Sequence, residues 1–467
     1  MDRTTRTIRR HSVPFRYLVA LLIPALTATF ALLSPTATGQ DNVLIHTDQG
    51  VTSIRIAVAD FKPLAAADPQ IAAFKQTFDT TLYADLASAG IFDIVSKSLM
   101  PPGNPGNPTE VQLQSYSNAP ASAAMLAFGS FGVTAGKLVV NGFLFDDKNL
   151  QYPQVLAKQY SEEASADSAR QVAHRFADEI IYRLGGGVAG IAETKIYYVK
   201  ILGAGVKEIW AMDYDGANQH AITHLGTISI SPRVSPDNTR LAFGSFGKYG
   251  VQLKMYSFLL DRYLAFPSGT GSSESPAWAP NGNELAYAAA PNGSFEIWIA
   301  DSNGNLGRRI TSFRGGNVSP SYNPKTGAQI AFISDRTGLP QLYIMNSDGS
   351  GVQLMTEGGY ASSPSWSPNG QAIAFAWDRK YGPGAPGGQD IYVMNVATKA
   401  WSQLTSDGGR CDFPSWSPDG RHIVYANSAD GRADHTRIWS MTLLPGGGTE
   451  RRALTDPGAD MPNWSWK

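Results

Sequence analysis

The second half of the chain repeats one pattern of apolar segments and polar turns. Each copy opens with a Pro-x-Trp-like segment, and an Asn-Gly or Asp-Gly turn in three copies leads into a strand such as Leu285-Ala-Tyr287. Two further apolar segments follow. A period of about 45 residues with four strands per copy is typical of a β-propeller blade, and tight Asn-Gly turns are typical of its hairpins. The six copies start at Pro232, Pro276, Pro320, Pro364, Pro414 and Pro462.

The two ends of the repeat complement each other. The unit at residues 195–224 lacks a Pro-x-Trp segment, whereas the chain ends with that segment at residues 462–467 and nothing after it. We therefore predict six blades, with the C-terminal strand completing the first one. Such closure would remove the free sheet edge that invites aggregation.

The aromatic positions of the repeat allow two interpretations. A ring in every blade can stack on a carbohydrate or fill the space between blades. Because a ligand site rarely needs an equivalent anchor in each repeat, the pattern favours packing. The positions are Trp278, Trp366, Trp416 and Trp464, with Val234 and Tyr322 as substitutes.

The first half predicts a separate, mixed α/β domain. Apolar residues recur at helical spacing in two segments, and Gly90 and Gly185 stand where the helices should end. We predict strands at 54–61, 91–95, 125–128 and 138–145, helices at 69–89 and 167–184, and an irregular loop at 100–120. The predicted organisation is a signal peptide at 1–39, an extended partner-binding segment at 40–51, the α/β domain at 52–190 and the propeller at 191–467.

The N-terminus has the pattern of an export signal. Five Arg residues precede an apolar run from Leu18 to Leu33, and small residues follow at Ala37-Thr38-Gly39. This order predicts a secretory signal peptide cleaved near Gly39 and a periplasmic location. An uncleaved membrane anchor is the alternative, although the run is shorter than the ~20 residues that a spanning helix needs.

Composition narrows the possible partners and chemistry. Only 16% of the 467 residues are charged and there are 47 Gly and 29 Pro, which favours short strands joined by turns. The net charge of −1 gives no basic surplus for nucleic acid, and removal of residues 1–39 leaves 33 basic against 38 acidic side chains. The single Cys411 excludes an internal disulfide.

No catalytic constellation stands out. The chain lacks a Gly-x-Ser-x-Gly element, and His220 and His224 are predicted to lie ~13 Å apart in one strand, too far to share a metal. Asp213-x-Asp215-Gly216 and two similar segments resemble the opening of a calcium loop but fit hairpin turns better. The pairs Asp146-Asp147 and Glu162-Glu163 are interpreted as solvated. We expect no enzymatic activity, cofactor or metal.

Binding is therefore the leading class of function. The segments that feed the innermost strands of a propeller meet at one mouth of its channel, and here they mix polar, charged and aromatic side chains. Cys411 belongs to this set and is interpreted as an incidental thiol. The candidate residues of this partner face are Ile230, Ser231, Glu274, Ser275, Asn317, Ser319, Tyr360, Ser362, Arg410, Asp412 and Asp460.

The order of these elements resembles the TolB family, the periplasmic component of the Tol–Pal system. The repeat Pro-x-Trp-Ser-Pro-Asp-Gly-x-x-Ile-Ala-Phe is one part of the resemblance. The more specific parts are the junction segments from Ala173 to Leu184 and from Thr194 to Val199, with Asp85-Leu86-x-x-x-Gly90-Ile-Phe92. The resemblance covers nearly all of the chain after the predicted signal.

The resemblance implies a non-enzymatic, monomeric adaptor. Its propeller face would bind the lipoprotein Pal and its mature N-terminus would bind TolA, supporting outer-membrane integrity and constriction in cell division. The TolA segment corresponds to Asp41, Val43, Ile45 and Asp48, in an alternating stretch suited to adding a strand to a partner's sheet. The alternative is an exported six-bladed hydrolase or lactonase with a channel metal.

Overall fold

The structure is a computed structural model that describes residues 53–65, 68–248, 250–267, 271–313, 315–378, 388–406, 408–445 and 447–466. The predicted signal peptide at 1–39 lies outside the described residues. So does the predicted TolA segment with Asp41, Val43, Ile45 and Asp48.

The first domain combines three helices with a six-stranded mixed sheet. Strand order is β3-β1-β4-β5-β6, with β2 pairing with β4; β1 runs parallel to β3 and β4, and β4 to β6 are antiparallel. The elements are β1 Ile54–Val58, β2 Lys62–Pro63, α1 Pro69–Ser88, β3 Phe92–Ile94, α2 Leu113–Ser117, β4 Met125–Thr134, β5 Lys137–Asp146, β6 Gln154–Glu163 and α3 Ala166–Leu184.

Both long helices begin at side-chain caps and pack on one face of this sheet. Asp68 accepts a hydrogen bond from the Gln70 amide at the start of α1, and Ser165 accepts one from Ser168 at the start of α3. Phe78 of α1 and Phe176 of α3 are both buried around Phe61, with ring centroids 4.7 and 6.0 Å from it. The two predicted helices are thus confirmed within one or two residues.

Two expectations for this domain were wrong, and one strand was missed. The predicted loop at 100–120 contains α2 and a short 3₁₀ turn at Pro108–Glu110. Strand β6 was not predicted, because its residues are half-buried or exposed and its apolar positions do not alternate regularly. Asp147 is 1% exposed rather than solvated, and burial together with the neighbouring Asp146 raises its pKa to about 7.

The second half is a β-propeller fold built from antiparallel four-stranded sheets. One pairing, between Gln389 and Arg410, joins two such units into an eight-stranded sheet. The strands are β7 Lys195–Gly203, β8 Val206–Asp213 and β9 His220–Ala221; β10 Ser229–Val234, β11 Arg240–Gly247, β12 Gly250–Ser257 and β13 Arg262–Leu264; β14 Ser272–Trp278, β15 Glu284–Ala290, β16 Glu296–Asp301 and β17 Arg308–Arg309; β18 Asn317–Tyr322, β19 Gln329–Ser334, β20 Gln341–Asn346 and β21 Gln353–Leu354; β22 Tyr360–Trp366, β23 Ala372–Asp378, β24 Gln389–Asn395 and β25 Trp401–Gln403; β26 Arg410–Trp416, β27 His422–Ser428, β28 Arg437–Leu443 and β29 Thr449–Ala453; and β30 Ala459–Trp464.

The C-terminal strand joins the first sheet of the propeller. Strand β30 pairs antiparallel with β7, and this sheet has the order β30-β7-β8-β9. The Trp464 indole donates a hydrogen bond to the Thr194 hydroxyl at 2.8 Å, just before β7. The residues at both ends of the propeller sequence therefore share one sheet.

Every first strand carries a bulge at its proline. Between Ile230 and Arg233, for example, β10 advances three residues while its partner β11 advances two, so one residue is extra. The residue before the proline adopts φ of 50° to 54° in all six strands. Proline has no N–H for a ladder bond, so a bulge is where a strand tolerates it. The left-handed residues are Ser231, Ser275, Ser319, Ser363, Phe413 and Met461.

A threonine near the fourth strand ties the outer part of five units together. The Thr356 hydroxyl accepts a hydrogen bond from the Leu342 amide at 3.0 Å and donates one to the Gln341 side chain at 2.8 Å. Amide-to-hydroxyl bonds of 2.8 to 3.0 Å recur in the other four units. The equivalent residues are Thr223, Thr311, Thr405 and Thr455.

The aromatic positions of the repeat lie in the core, as the packing interpretation predicts. Trp278, Trp366, Trp416 and Trp464 are 3 to 6% exposed. The Trp278 indole also donates a hydrogen bond to the Arg233 carbonyl of the preceding sheet at 3.0 Å.

We predict that Thr356→Val lowers the free energy of unfolding by about 1–3 kcal/mol, because the buried Leu342 amide loses its acceptor while the shape of the side chain is kept. Urea denaturation measures this change. The exposed Thr337→Val is the matched control and should stay within about 0.5 kcal/mol. Equal effects of the two substitutions would contradict the role of the repeated hydroxyl.

Candidate functional site

The eleven candidate residues of the partner face lie at the beginnings of the six first strands. They were expected in loops, and this was wrong: each belongs to β10, β14, β18, β22, β26 or β30. All lie at or before the left-handed residue of the bulge. The prediction failed because a proline within a strand is a boundary signal in sequence, whereas the bulge lets the strand begin several residues earlier.

Exposure divides these residues into three groups. Arg410 is exposed, while Asn317, Asp412 and Asp460 are buried at 0%, 4% and 7% exposure. The remaining seven are half-buried: Ile230, Ser231, Glu274, Ser275, Ser319, Tyr360 and Ser362.

A hydrogen-bonded chain connects two neighbouring first strands on this face. Arg410 donates to Asp412 at 2.8 Å, and Asp412 also accepts from the Ser362 hydroxyl at 3.1 Å. The Gln389 amide donates to the same hydroxyl and accepts from Arg410 Nε. Asp412 is therefore a structural anchor, and Arg410 is the member of the chain that a partner can reach.

Two carboxyl groups of this face, one buried and one half-buried, have raised pKa values. Burial raises the pKa of Asp460, the neighbouring Asp412 adds to that effect, and Arg410 opposes it. Burial alone raises the pKa of Glu274 on β14. The face thus contains acidic groups that favour a proton or a cationic partner group.

An aromatic and arginine cluster on the same face was missed from sequence. The Arg336 guanidinium lies 4.1 Å from the Phe313 ring centroid and 4.7 Å from that of Tyr343. It also donates a hydrogen bond to the Asn317 side chain at the start of β18. Phe313 is 49% exposed. Only the residues directly before each Pro-x-Trp were considered in the prediction, whereas Arg336 lies between β19 and β20.

Two further sequence interpretations need correction. Cys411 is fully buried, and its sulfur accepts a hydrogen bond from the Asn427 side-chain amide at 3.0 Å. Its side chain is therefore not part of the candidate partner face. His224 lies outside the two-residue strand β9, which contains only His220 and Ala221.

The segments that resemble calcium loops are hairpin turns, as expected. Asp301 accepts hydrogen bonds from the Asn303 and Asn305 backbone amides, and Asp213, the last residue of β8, precedes the equivalent turn. Among the described residues, no three His, Cys, Asp or Glu side chains are grouped so that they could hold a metal ion. Within the same part of the chain, no helix is long and apolar enough to cross a membrane.

A buried polar network joins the α/β domain to the propeller. Asp85 of α1 accepts hydrogen bonds from the Tyr214 hydroxyl at 2.5 Å and from His174 Nδ1 at 2.7 Å. Burial raises the pKa of Asp85, and its hydrogen bond with His174 lowers that pKa. Because all three side chains are at most 5% exposed, the network fixes α1 and α3 against the turn after β8.

A second contact joins the two domains at the turn between β26 and β27. His422 lies between Asp419, 3.1 Å from its Nδ1, and the Ser88 carbonyl, 2.7 Å from its Nε2. Both ring nitrogens therefore face oxygen atoms, and the ring bridges the turn to the last residue of α1. Asp419 is buried, yet His422, Arg421 and Ser417 hold its pKa well below the usual range.

Comparison with known proteins identifies similar chains. The sequence matches a family described as the TolB amino-terminal domain over residues 43–149 and one described as the TolB beta propeller domain over residues 182–465. "Protein TolB homolog" of Chlorobium luteolum is 30% identical over 340 residues, which cover 72% of this chain and 74% of that protein. "Tol-Pal system protein TolB" of Gluconobacter oxydans is 28% identical over 387 residues, covering 72% and 82%.

A solved structure has the same fold. The crystal structure of TolB from Acinetobacter baumannii aligns with a TM-score of 0.73 at 23% identity, covering 89% of this chain and 97% of that one. The shared fold includes both the N-terminal domain and the propeller.

We predict that Asp419→Asn destabilises the protein by roughly 3–5 kcal/mol at pH 7, because Arg421 loses its buried counter-charge. The folded state lowers the pKa of Asp419, so its contribution is full above the unfolded value of about 3.8 and is lost as pH falls below it. Urea denaturation should therefore show a gap between variant and wild type that narrows below pH ~4.

The matched control is Asp237→Asn in the equivalent turn of another unit, where the carboxylate accepts from Ser235 and Thr239 only. That variant should lose about 1 kcal/mol. Equal losses in both variants would contradict a special role for the turn that touches α1.

Proposed function

Because the chain belongs to the TolB family, we propose that it is the non-enzymatic, periplasmic adaptor of a Tol–Pal system. The observation that carries the proposal is that both TolB domains match in order, over residues 43–149 and 182–465. The name of the Gluconobacter oxydans relative places that protein in a Tol-Pal system. In this role the protein supports outer-membrane integrity and constriction during cell division.

The proposal includes a closed, six-bladed propeller. Pairing of β30 with β7 supports it, because the last strand then completes the sheet that the first propeller strands begin. The Ser415 hydroxyl of β26 accepts a hydrogen bond from the Trp464 amide of β30 at 3.0 Å. On the other side, Asn463 accepts one from the Val234 amide of β10 at 3.1 Å. Strand β30 would thus link the last and the first complete repeat.

The proposed partner face binds Pal through the entry ends of the six first strands. Arg410, Tyr360 and Glu274 supply charge and an aromatic ring, and the Phe313–Arg336 stack extends the face outward. Aromatic and arginine side chains are the residue types enriched among energetic centres of protein interfaces. The buried Asp412, Asp460 and Asn317 position the accessible ones.

The remaining parts of the proposal concern the N-terminus. Export with cleavage near Gly39 would free the segment at residues 40–51, whose Asp41, Val43, Ile45 and Asp48 we assign to TolA. The domain boundaries at 52–190 and 191–467 complete this organisation. The protein would act as a monomer, because each proposed partner occupies a different part of one chain.

We predict that Arg410→Glu weakens capture of Pal from the same organism at least about tenfold, because it reverses the charge of the accessible member of the Arg410–Asp412 chain. Co-precipitation and titration of the purified proteins measure the loss. Lys325→Glu is the control, since Lys325 is exposed in the turn at the far end of β18.

Wild-type protein that captures no Pal would overturn the adaptor proposal. Equal binding by both variants, with wild-type capture intact, would overturn only the assignment of the face. Retained melting temperatures distinguish loss of contact from loss of fold.

We predict that deletion of residues 462–467 lowers the melting temperature by several degrees, because β7 loses the Asn463 and Trp464 half of its pairing with β30 and Thr194 loses the Trp464 indole. Removal of Lys467 alone is the control and should leave the melting temperature unchanged. A six-residue truncation that melts with the full chain would contradict closure by the C-terminal strand.

A further inference from the structure

A cavity of about 280 Å³ lies at the junction of the two domains. Asp167, Arg170 and His174 line it from α3, and Glu193, Lys195 and Asp213 line it from the propeller side. It is separate from the partner face, which is formed by the beginnings of the first strands.

Most charged groups of the cavity already satisfy each other. Arg170 donates to Asp215 at 2.5 Å, and Lys195 donates to Asp213 at 2.9 Å. Asn218 donates to the second oxygen of Asp213 at 2.7 Å. These contacts position the basic side chains and leave them little capacity to bind an anion.

The groups without partners are mainly acceptors. His174 is 5% exposed, its Nδ1 lies 2.7 Å from Asp85, and its Nε2 is buried without a partner among the described residues. In the neutral tautomer that carries its hydrogen on Nδ1, toward Asp85, Nε2 has a lone pair that can accept a hydrogen bond. The carboxylates of Asp167 and Glu193 are exposed, and neither forms an ion pair within the described part of the chain. One buried donor, Arg170 Nε, lies 3.6 Å from Asp213 Oδ2, beyond hydrogen-bond distance, and lacks a hydrogen-bond partner among the described residues.

We propose that this cavity binds a primary ammonium group that carries an adjacent carbonyl. An ammonium has three N–H donors, and the cavity offers three acceptors in His174, Asp167 and Glu193. The carbonyl oxygen accepts from Arg170 Nε. Amino-acid amides and the amino terminus of a peptide both have this chemistry and differ in chain length. The cavity volume accommodates the terminal residue of either.

Titration of the purified protein with glycinamide and with trialanine amide tests the proposal, monitored by calorimetry and by NMR shifts of the His174 ring. We expect both probes to bind and their N-acetylated forms to bind at least about tenfold more weakly, since acetylation removes the charge and two of the three donors. If only trialanine amide binds, the ligand is the amino terminus of a peptide. If both probes bind, the site also accepts single amino-acid amides.

Glu193→Gln should weaken binding about tenfold while leaving the fold intact, because the residue is exposed. Glu163→Gln, an exposed carboxylate at the end of β6, is the matched control and should bind like wild type. No binding of either free amine, or equal binding of the acetylated probes, would overturn the proposal. Equal affinity in the two variants would also overturn it.

Discussion

The missing N–H of one proline determines the geometry of each propeller unit. Proline cannot donate to the ladder, and here all six first strands interrupt their pairing beside it with a single extra residue. The preceding residue pays ~1–2 kcal/mol for its left-handed conformation. The same cost recurs in every unit, and in every unit the second residue after the proline is buried in the core.

The bulge divides each first strand into two segments with different roles. After it, the strand carries the core aromatic residue and the Ser-x-Asp or Ser-x-Asn turn, whose polar side chains cap their own backbone. One of these turns has been adapted further: Asp419, Arg421 and His422 form a buried charge cluster that reaches the Ser88 carbonyl. A residue type that elsewhere only closes a hairpin therefore fixes the orientation of a second domain.

Much of the fold could be predicted because its signals are local. Helices α1 and α3 are marked by capping residues and by apolar residues at helical spacing within their own segments. The propeller strands recur as the same apolar segments in each copy of the repeat. The missed features depend on contacts far apart in the chain. The burial of Asp147 depends on how the surrounding elements pack, which the sequence does not show. The network of Asp85, His174 and Tyr214 joins residues up to 129 positions apart in the chain. From sequence, Arg336 is one charged residue in a loop, and only the fold shows that it stacks on Phe313.

The repeat also bears on how the proposed partner face would recognise one asymmetric partner. Residues that fold each unit recur from copy to copy, whereas the position before the bulge is Ile230, Glu274, Val318, Ser362, Asp412 or Asp460 in turn. These six equivalent positions carry five residue types, so the proposed partner face has no rotational symmetry. A partner that contacts several of them can bind in only one rotational setting, since any other rotation would bring its charges against the wrong residues.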